Sequence, residues 1–228
     1  MNTIHAGHAA PNKKLHGAVG IIDESERARQ VVSKFLDIQK AEYEETFRDV
    51  TRDDLDYSLV NLCDRMNKYA CDRDEINLSI HFNSFPKASA NGTEVIAYSL
   101  GDSRNNAIAS MLCESVSNAL GTKNRGAKAN NELAVLNRTK ARSFIIECCF
   151  CTNQDDCNKY IQNGNEKIAR AIIGVLDSLG YMERKKDVPT NTGGMYAIQL
   201  GAFSNRENAE KMLERVKSDG YNAFIAEI

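Results

Sequence analysis

The amino-acid sequence predicts an α/β fold, with a mostly parallel or mixed sheet flanked by helices and a small C-terminal βαβ unit. Two observations support this prediction. Segments with strand character alternate along the chain with segments whose apolar residues recur at helical spacing. The 228 residues, 42% of them hydrophobic, also suffice for one domain with a sizeable core and an appendage.

Each predicted element has its own local signal. The strand at the N-terminus ends at Gly7, and Ile76–Ile80 alternates apolar and polar residues as a strand does. Asn106–Leu120 instead spaces its apolar residues three or four positions apart, as a helix does. Strands are predicted at residues 1–6, Ile76–Ile80, Glu94–Tyr98 and Ser143–Glu147. Helices are predicted from Glu24, over Leu59–Tyr69, over Asn106–Leu120 and around Ile168–Leu179.

The composition changes at Tyr181, where charged residues, Pro, Thr and Gly typical of a linker begin. The predicted organisation is a domain over residues 1–180, a linker over 181–194 and a tail over 195–228. The tail predicts a strand, a helix and a strand, and it is too short to bury a core alone. Its predicted elements are Tyr196–Leu200, Glu207–Ser218 and Tyr221–Ile228.

Charge and composition exclude several classes of protein. The net charge of −2 provides no positive excess for nucleic acid or anionic lipid. No apolar run approaches the roughly 20 residues of a membrane-spanning helix. Residues 1–14 lack the basic and apolar regions of a secretory signal peptide, which predicts synthesis in the cytoplasm. The seven cysteines are an odd number and are predicted to be reduced thiols.

Polar side chains stand at the ends of three predicted strands. His8 follows the first strand, His81 ends the second and Glu147 ends the last, while Glu24 begins a helix. Ligands of open α/β sheets bind at the carboxyl ends of the strands, and two histidines with a carboxylate can hold Zn²⁺ and leave one position open. Each histidine also fits a hydrogen-bonded structural residue, and Glu24 fits a first-turn residue favoured by the helix dipole. A purely structural role explains Glu147 less well, because burying a carboxylate that has no function costs free energy.

The cysteines near Glu147 allow two interpretations. Cys148, Cys149, Cys151 and Cys157 cluster in the sequence. Two of them extend an apolar strand, where cysteine behaves as a small hydrophobic residue. The rival interpretation is a thiol-dependent peptidase in which His81 activates a cysteine.

Seven short motifs occur in order within residues 1–180. They are Gly7-His8, Asp23-Glu24, LSIHFN at 78–83, GTEV at 92–95, NRGAK at 124–128, LAVLN at 133–137 and IIECCF at 145–150. Together they resemble the zinc-dependent N-acetylmuramoyl-L-alanine amidases of the amidase-3 family, found in phage endolysins and bacterial autolysins. The resemblance covers the whole predicted main domain.

The resemblance implies one Zn²⁺ held by His8, Glu24 and His81, with Glu147 as the catalytic acid–base residue. It implies a peptidoglycan hydrolase that cuts the amide between N-acetylmuramic acid and L-alanine. Such an enzyme would act on the cell wall after release, in phage lysis or in lysis of a sporulating mother cell. The non-enzymatic alternative is a wall-binding protein that keeps the fold without activity.

The first motif departs from the family pattern. His5 lies where the family often has an acidic residue, and Ala9 and Ala10 replace two glycines. His5 is expected to form a hydrogen bond, to be structural or to compete for the metal. Glu26 is the alternative to Glu24 as a ligand, and His16 is interpreted as a loop residue.

The tail has a resemblance of its own. MYAIQLGAFS at 195–204 and Gly220-Tyr221 resemble the sporulation-related repeat, SPOR, a module that binds peptidoglycan glycan strands. SPOR modules normally contain two βαβ repeats, and one is visible here. We therefore expect the tails of two chains to pair in a homodimer, the alternatives being a vestigial repeat or a solubilising appendage.

Overall fold

The computed structural model describes residues 1–53, 58–186 and 206–218. The chain divides into two compact units, Met1–Val188 and Pro189–Ile228. The first unit contains the sheet and the candidate site. Within the described residues, no helix has the length and apolar character needed to cross a membrane.

The first unit is built on a six-stranded sheet with the order β2-β1-β3-β6-β4-β5. Every neighbouring pair is parallel except β4 with β6. The predicted mostly parallel or mixed sheet is therefore confirmed. The strands are β1 Asn2–Ala6, β2 Phe47–Asp49, β3 Ile76–Asn83, β4 Thr93–Ala97, β5 Asn124–Ala129 and β6 Arg142–Phe150.

Helices cover both faces of this sheet. They are α1 Glu24–Glu42, α2 Leu59–Tyr69, α3 Ser103–Leu120, α4 Ala134–Asn137, α5 Gln154–Ile161 and α6 Gly164–Ser178. The predicted helices and strands of this unit are confirmed. The sequence did not predict β2, β5, α4 or α5. β2 is only three residues long, and the largely polar edge strand β5 carries no apolar alternation.

The two faces of the sheet differ in polarity. Ile4, Leu78 and Phe144 are register partners on the face that belongs to the main core, to which α1, α3 and α6 contribute. The opposite face packs a smaller cluster from α2 and α4, yet it also buries the hydrogen-bonded row Thr3, Asn77 and Ser143. The alternation in β3 predicted a strand, and Ile76–Ile80 of this strand is buried on both faces.

The first unit extends past the predicted start of the linker. Met182 is buried, the Glu44 amide donates to the Glu183 carbonyl at 2.8 Å, and Arg184 forms an ion pair with Asp177 at 2.8 Å. These contacts attach residues 182–184 to α6 and to the segment that follows α1. The compact unit accordingly continues to Val188.

The described part of the second unit is one helix, α7, Arg206–Ser218. Its surface carries Arg206–Glu210 and Glu207–Lys211 ion pairs at helical i,i+4 spacing. The helix predicted at Glu207–Ser218 is confirmed. The predicted strands Tyr196–Leu200 and Tyr221–Ile228 lie outside the described residues.

Candidate metal centre

His8 lies in the turn that leaves β1. The Gly7 amide donates to the Ile80 carbonyl of β3 at 2.8 Å, so the chain still follows β3 when it reaches His8. A Cβ at Gly7 would overlap the imidazole of His81, which explains why this position requires glycine. His8 itself has a left-handed backbone, with φ at 62°. The turn therefore brings the rings of His8 and His81 edge to face, 5.0 Å apart.

Glu24 is the first residue of α1 and is buried. Asp23 caps the helix by accepting from the Glu26 amide, and this cap fixes where α1 begins. Oε1 of Glu24 lies 2.9 Å from His81 Nδ1 and 3.3 Å from His8 Nε2. Burial alone would raise the pKa of Glu24, but its hydrogen bonds with His8 and His81 lower it overall. Glu24 is therefore a carboxylate that faces two imidazoles.

His81 lies near the end of β3 and contacts a polar group through each ring nitrogen. Nδ1 faces Glu24, and Nε2 lies 3.0 Å from the hydroxyl oxygen of buried Ser79. Burial lowers the pKa of His81, but the hydrogen bond to Glu24 and the charges of Glu147 and Glu24 outweigh burial and raise it. Ser79 therefore orients the ring from the side opposite Glu24.

His8, Glu24 and His81 can share one metal ion. One ligand atom from each lies within 4.8 Å of the others. The separation of 3.3 Å between His8 Nε2 and Glu24 Oε1 equals the roughly 3.3 Å that tetrahedral Zn²⁺ with bonds of about 2.0–2.1 Å places between its ligands. Two imidazole nitrogens and one carboxylate oxygen are a donor set that zinc accepts with a fourth position left open. The residues present fit zinc.

Glu147 of β6 lies beside this group of three. It is the register partner of His81, and both line a cavity of about 430 Å³ with His8 and Glu24. Its Oε2 atom is buried and has no hydrogen-bond partner. Burial raises the pKa of Glu147 to about 7; the charge of His81 opposes this rise, and the charges of Glu24 and Glu94 add to it. The structure thus brings all four predicted site residues to one cavity.

A further carboxylate flanks Glu147 on its other side. Glu94 of β4 is the register partner of Glu147 across the antiparallel pair. It accepts from Arg125 Nε at 2.7 Å and from Asn83 Nδ2 at 2.9 Å. Sequence reasoning placed these residues in motifs but assigned them no role. The pairing of β4 with β6 places these residues beside Glu147. Local periodicity in the sequence does not show which strands pair, so it could not identify them.

Glu26, His5 and His16, the other site residues considered in the sequence, do not belong to the group of three. Glu26 accepts from the side chain of Gln30, lies on the exposed side of α1 and does not join the group of three. His5 is buried, its Nδ1 lies 3.0 Å from the Ala6 carbonyl oxygen, and burial lowers its pKa to about 4. His5 is thus a neutral structural residue in this structure. His16, interpreted from sequence as a loop residue, lines the same cavity as Glu147.

The buried cysteines next to Glu147 lack the features of a reactive site. All seven are free thiols, as predicted. Burial raises the pKa of Cys148 and Cys149 well above the ordinary value, and burial also raises the pKa of Cys151 to about 12. A nucleophilic cysteine requires the opposite shift. Since His81 is engaged by Glu24 and Ser79, the geometry offers no support for a thiol peptidase.

Two family models match the sequence. The Amidase_3 model, described as N-acetylmuramoyl-L-alanine amidase, matches residues 3–178, and the SPOR domain model matches residues 164–228. The two matches overlap over residues 164–178, where α6 packs against α1 and α3 in the core of the first unit. The overlapping helix therefore belongs structurally to the amidase unit.

Curated relatives include one named amidase. An uncharacterized protein of Clostridium perfringens is 31% identical over 179 residues, which is 76% of this chain and 50% of the relative. The N-acetylmuramoyl-L-alanine amidase LytC of Bacillus subtilis is 32% identical over 116 residues, 49% of this chain and 23% of LytC. The chain thus spans about half the length of the clostridial relatives that it matches.

Solved structures share the fold. The catalytic domain of the CD27L endolysin targeting Clostridia difficile superposes with a TM-score of 0.64 at 24% identity, covering 77% of this chain and 96% of that domain. The catalytic domain of CwlV, an N-acetylmuramoyl-L-alanine amidase from Bacillus (Paenibacillus) polymyxa, gives 0.64 at 22%, covering 79% and 99%. With the family match over most of its length, the chain belongs to the N-acetylmuramoyl-L-alanine amidase family, amidase-3.

Proposed function

We propose that this protein is a peptidoglycan hydrolase that cleaves the amide bond between N-acetylmuramic acid and L-alanine. His8, Glu24 and His81 would hold one Zn²⁺, and Glu147 would act as the acid–base residue. The observation that carries the proposal is the convergence of these four side chains on one cavity of about 430 Å³. Family membership supports the choice of substrate and bond.

The proposed metal has a defined chemical purpose. When bound, zinc supplies Lewis-acid polarisation of the substrate carbonyl and lowers the pKa of water toward about 7. Glu24 compensates the positive charge, since it is already held as a carboxylate against two imidazoles. The ring of His81 keeps one orientation because Ser79 contacts its other nitrogen.

Glu147 is suited to move the proton. In the proposed reaction its carboxylate accepts a proton from the attacking water, whose oxygen bonds to the carbonyl carbon. The carbon–nitrogen bond then breaks, and Glu147 returns the proton to the departing amino group of L-alanine. Burial raises the pKa of Glu147, which makes its carboxylate a better proton acceptor than an exposed one. Glu147 lines the cavity, and its buried Oε2 atom has no hydrogen bond within the described residues.

The tail is proposed to bind glycan strands. The SPOR match supports this role. We propose the order catalytic domain, linker and SPOR-like tail, predicted at 1–180, 181–194 and 195–228, with residues 182–184 packed against the catalytic domain. Because α6 is part of the amidase core, only one βαβ repeat remains for the tail. Two tails from two chains would complete a module, which is the basis of the proposed homodimer. Action on the wall after release, in phage or mother-cell lysis, stays a prediction.

Metal analysis of the purified chain, together with digestion of peptidoglycan, tests the function. We expect about one zinc per chain and the appearance of new L-alanine amino termini, both lost after chelation and restored by zinc. New reducing sugar ends in place of amino termini would contradict the amidase assignment. Binding to cell walls without release of amino termini would establish the inactive wall-binding alternative.

A further inference from the structure

Arg29 connects the two segments that carry His8 and Glu24. It lies on α1, just over one turn beyond Glu24, and most of its side chain is shielded from solvent. Its guanidinium is a donor to three different parts of the chain. The acceptors are the carbonyl oxygens of Ser25 at 2.8 Å, His8 at 3.2 Å and Arg52 at 3.3 Å, and the carboxylate of Asp53 at 2.7 Å.

The bond to the His8 carbonyl oxygen acts on a strained position. His8 has a φ of 62°, a conformation that costs a residue with a side chain about 1 kcal/mol or more and persists only where its surroundings hold it. Because Ala9 and Ala10 follow His8, the turn has no glycine there to adopt a positive φ without strain. The side chain of His8 is 39% exposed, against 16% for His81 and 5% for Glu24. Its ring is thus the least enclosed of the three.

Asp53 holds Arg29 in this position. The carboxylate Oδ1 accepts from Nε of Arg29 at 2.7 Å and forms an ion pair with Nη2 at 2.6 Å. Charge-assisted contacts of this kind fix the plane of a guanidinium and so the direction of its other N–H groups. A lysine ammonium has no such plane and cannot direct several donors in this way. With one edge on Asp53, the remaining donors are directed at His8 and at Ser25, the residue after Glu24.

We infer that Arg29 is a positioning residue for the metal centre. It holds the backbone of His8 in the left-handed conformation and ties it to the first turn of α1, so that His8 and Glu24 are in place before a metal binds. The inference rests on the proposed zinc site. It assigns a role to a residue that contacts neither the metal position nor the cavity.

Zinc affinity distinguishes this role from a general structural one. We would measure it for the full chain by competition with a chromophoric chelator, for Arg29→Met, Arg29→Lys and the wild type. We expect about 10- to 100-fold weaker zinc binding in Arg29→Met, the usual range for a residue that orients a ligand, and a smaller loss in Arg29→Lys. Arg27→Met is the matched control, because Arg27 lies on the same helix and contacts Gln30 and Glu26 instead.

Cobalt provides a second readout that a structural role would not change. Co²⁺ in a four-coordinate site absorbs visible light strongly, and loss of a ligand to water weakens that absorption. We expect the Co²⁺-loaded Arg29→Met protein to show the weaker spectrum and Arg27→Met to keep the wild-type one. Wild-type zinc affinity and spectrum in folded Arg29→Met would overturn the inference.

One outcome separates this inference from the proposed function. A wild-type chain that binds no zinc contradicts the metal site itself.

If Arg29→Met fails to fold, Asp53→Asn takes its place, because Asp53 is 64% exposed and its replacement is compatible with folding. Unchanged zinc affinity in folded Asp53→Asn would overturn the inference, whereas a loss comparable to that of Arg29→Lys would support it.

Discussion

His81 and Glu147 are register partners on the adjacent parallel strands β3 and β6. Residues in register project to the same face of a sheet, so the proposed metal ligand and the proposed acid–base residue are held side by side by backbone hydrogen bonds. A second pairing places Glu94 opposite Glu147 on the other side. Glu147 is therefore fixed between an imidazole and a carboxylate by rigid strands, which makes the separate roles of these residues testable by mutation.

Replacing Glu24 by Gln should abolish tight zinc binding and activity. The substitution removes the negative charge that faces His8 and His81 and leaves an amide, which is a poor zinc ligand. Zinc content after dialysis measures the effect. Glu26→Gln is the matched control and should keep stoichiometric zinc, because Glu26 faces Gln30. Stoichiometric zinc in Glu24→Gln would remove Glu24 from the ligand set.

Replacing Glu147 by Gln should leave zinc in place and slow hydrolysis. The amide keeps the size of the side chain but cannot accept a proton, and removal of a general base costs about 10²–10⁴ in rate. Release of L-alanine amino termini measures the rate, and metal analysis of the same sample measures zinc. Loss of zinc would make Glu147 a ligand, and a rate near that of the wild type would exclude it from the mechanism.

Replacing Ser79 by Ala should weaken zinc binding about tenfold, the low end of the effect of residues that orient metal ligands. The hydroxyl is the partner of His81 Nε2, and its loss leaves that nitrogen without its contact. Ser143→Ala is the control: Ser143 is buried on the same face of the sheet but bonds to Asn77. Equal zinc affinities in the two variants would show that Ser79 does not orient His81.

His5 should make the metal-free protein less stable in acid. Its pKa in the folded chain is about 4, below the ordinary 6.5, because burial disfavours the charged ring. As pH falls below about 6.5 the unfolded chain gains a proton that the folded chain does not, so stability is lost until about pH 4. Between about pH 7 and pH 5 this loss amounts to about 2 kcal/mol.

Denaturant unfolding of the wild type and of His5→Gln, both in chelator, measures this loss. The two proteins share every other titratable group, so the difference isolates His5. We expect the free energy of unfolding of the wild type to fall more steeply with acidification than that of His5→Gln. Parallel pH profiles would show that His5 is not a buried neutral imidazole.

Removal of the tail should convert a dimer into a monomer without affecting the metal centre. Light scattering of the full chain and of a version ending at residue 186 measures this. Residue 186 is a better end point than Tyr181, because Glu183 and Arg184 contact the catalytic unit. The shortened protein should still bind zinc and hydrolyse wall fragments. A monomeric full chain, or a shortened form that remains dimeric, would contradict pairing through the tail.

Much of the fold could be predicted because its signals are local. The spacing of apolar residues predicted α2 at Leu59–Tyr69 with the bounds found in the structure, and alternation predicted β3. The edge strand β5 carries no such signal, since its sequence NRGAKA contains no large apolar residue and none of its residues is buried. It becomes a strand through its pairing with β4, and a contact between distant segments leaves no periodicity in either one.

The sequence by itself determined which residue types stand at the strand ends, and the order of motifs that indicates the family. Tertiary structure decided what these residues do to one another. The cap at Asp23 directs Glu24 rather than Glu26 toward the histidines, and burial leaves His5 neutral while raising the pKa of Glu147. Arg29 gains its contact with the His8 carbonyl only when α1 packs against the turn after β1. The physical reason is that charge, protonation and ligand geometry depend on neighbours brought close by folding, whereas strand and helix signals depend on neighbours in the chain.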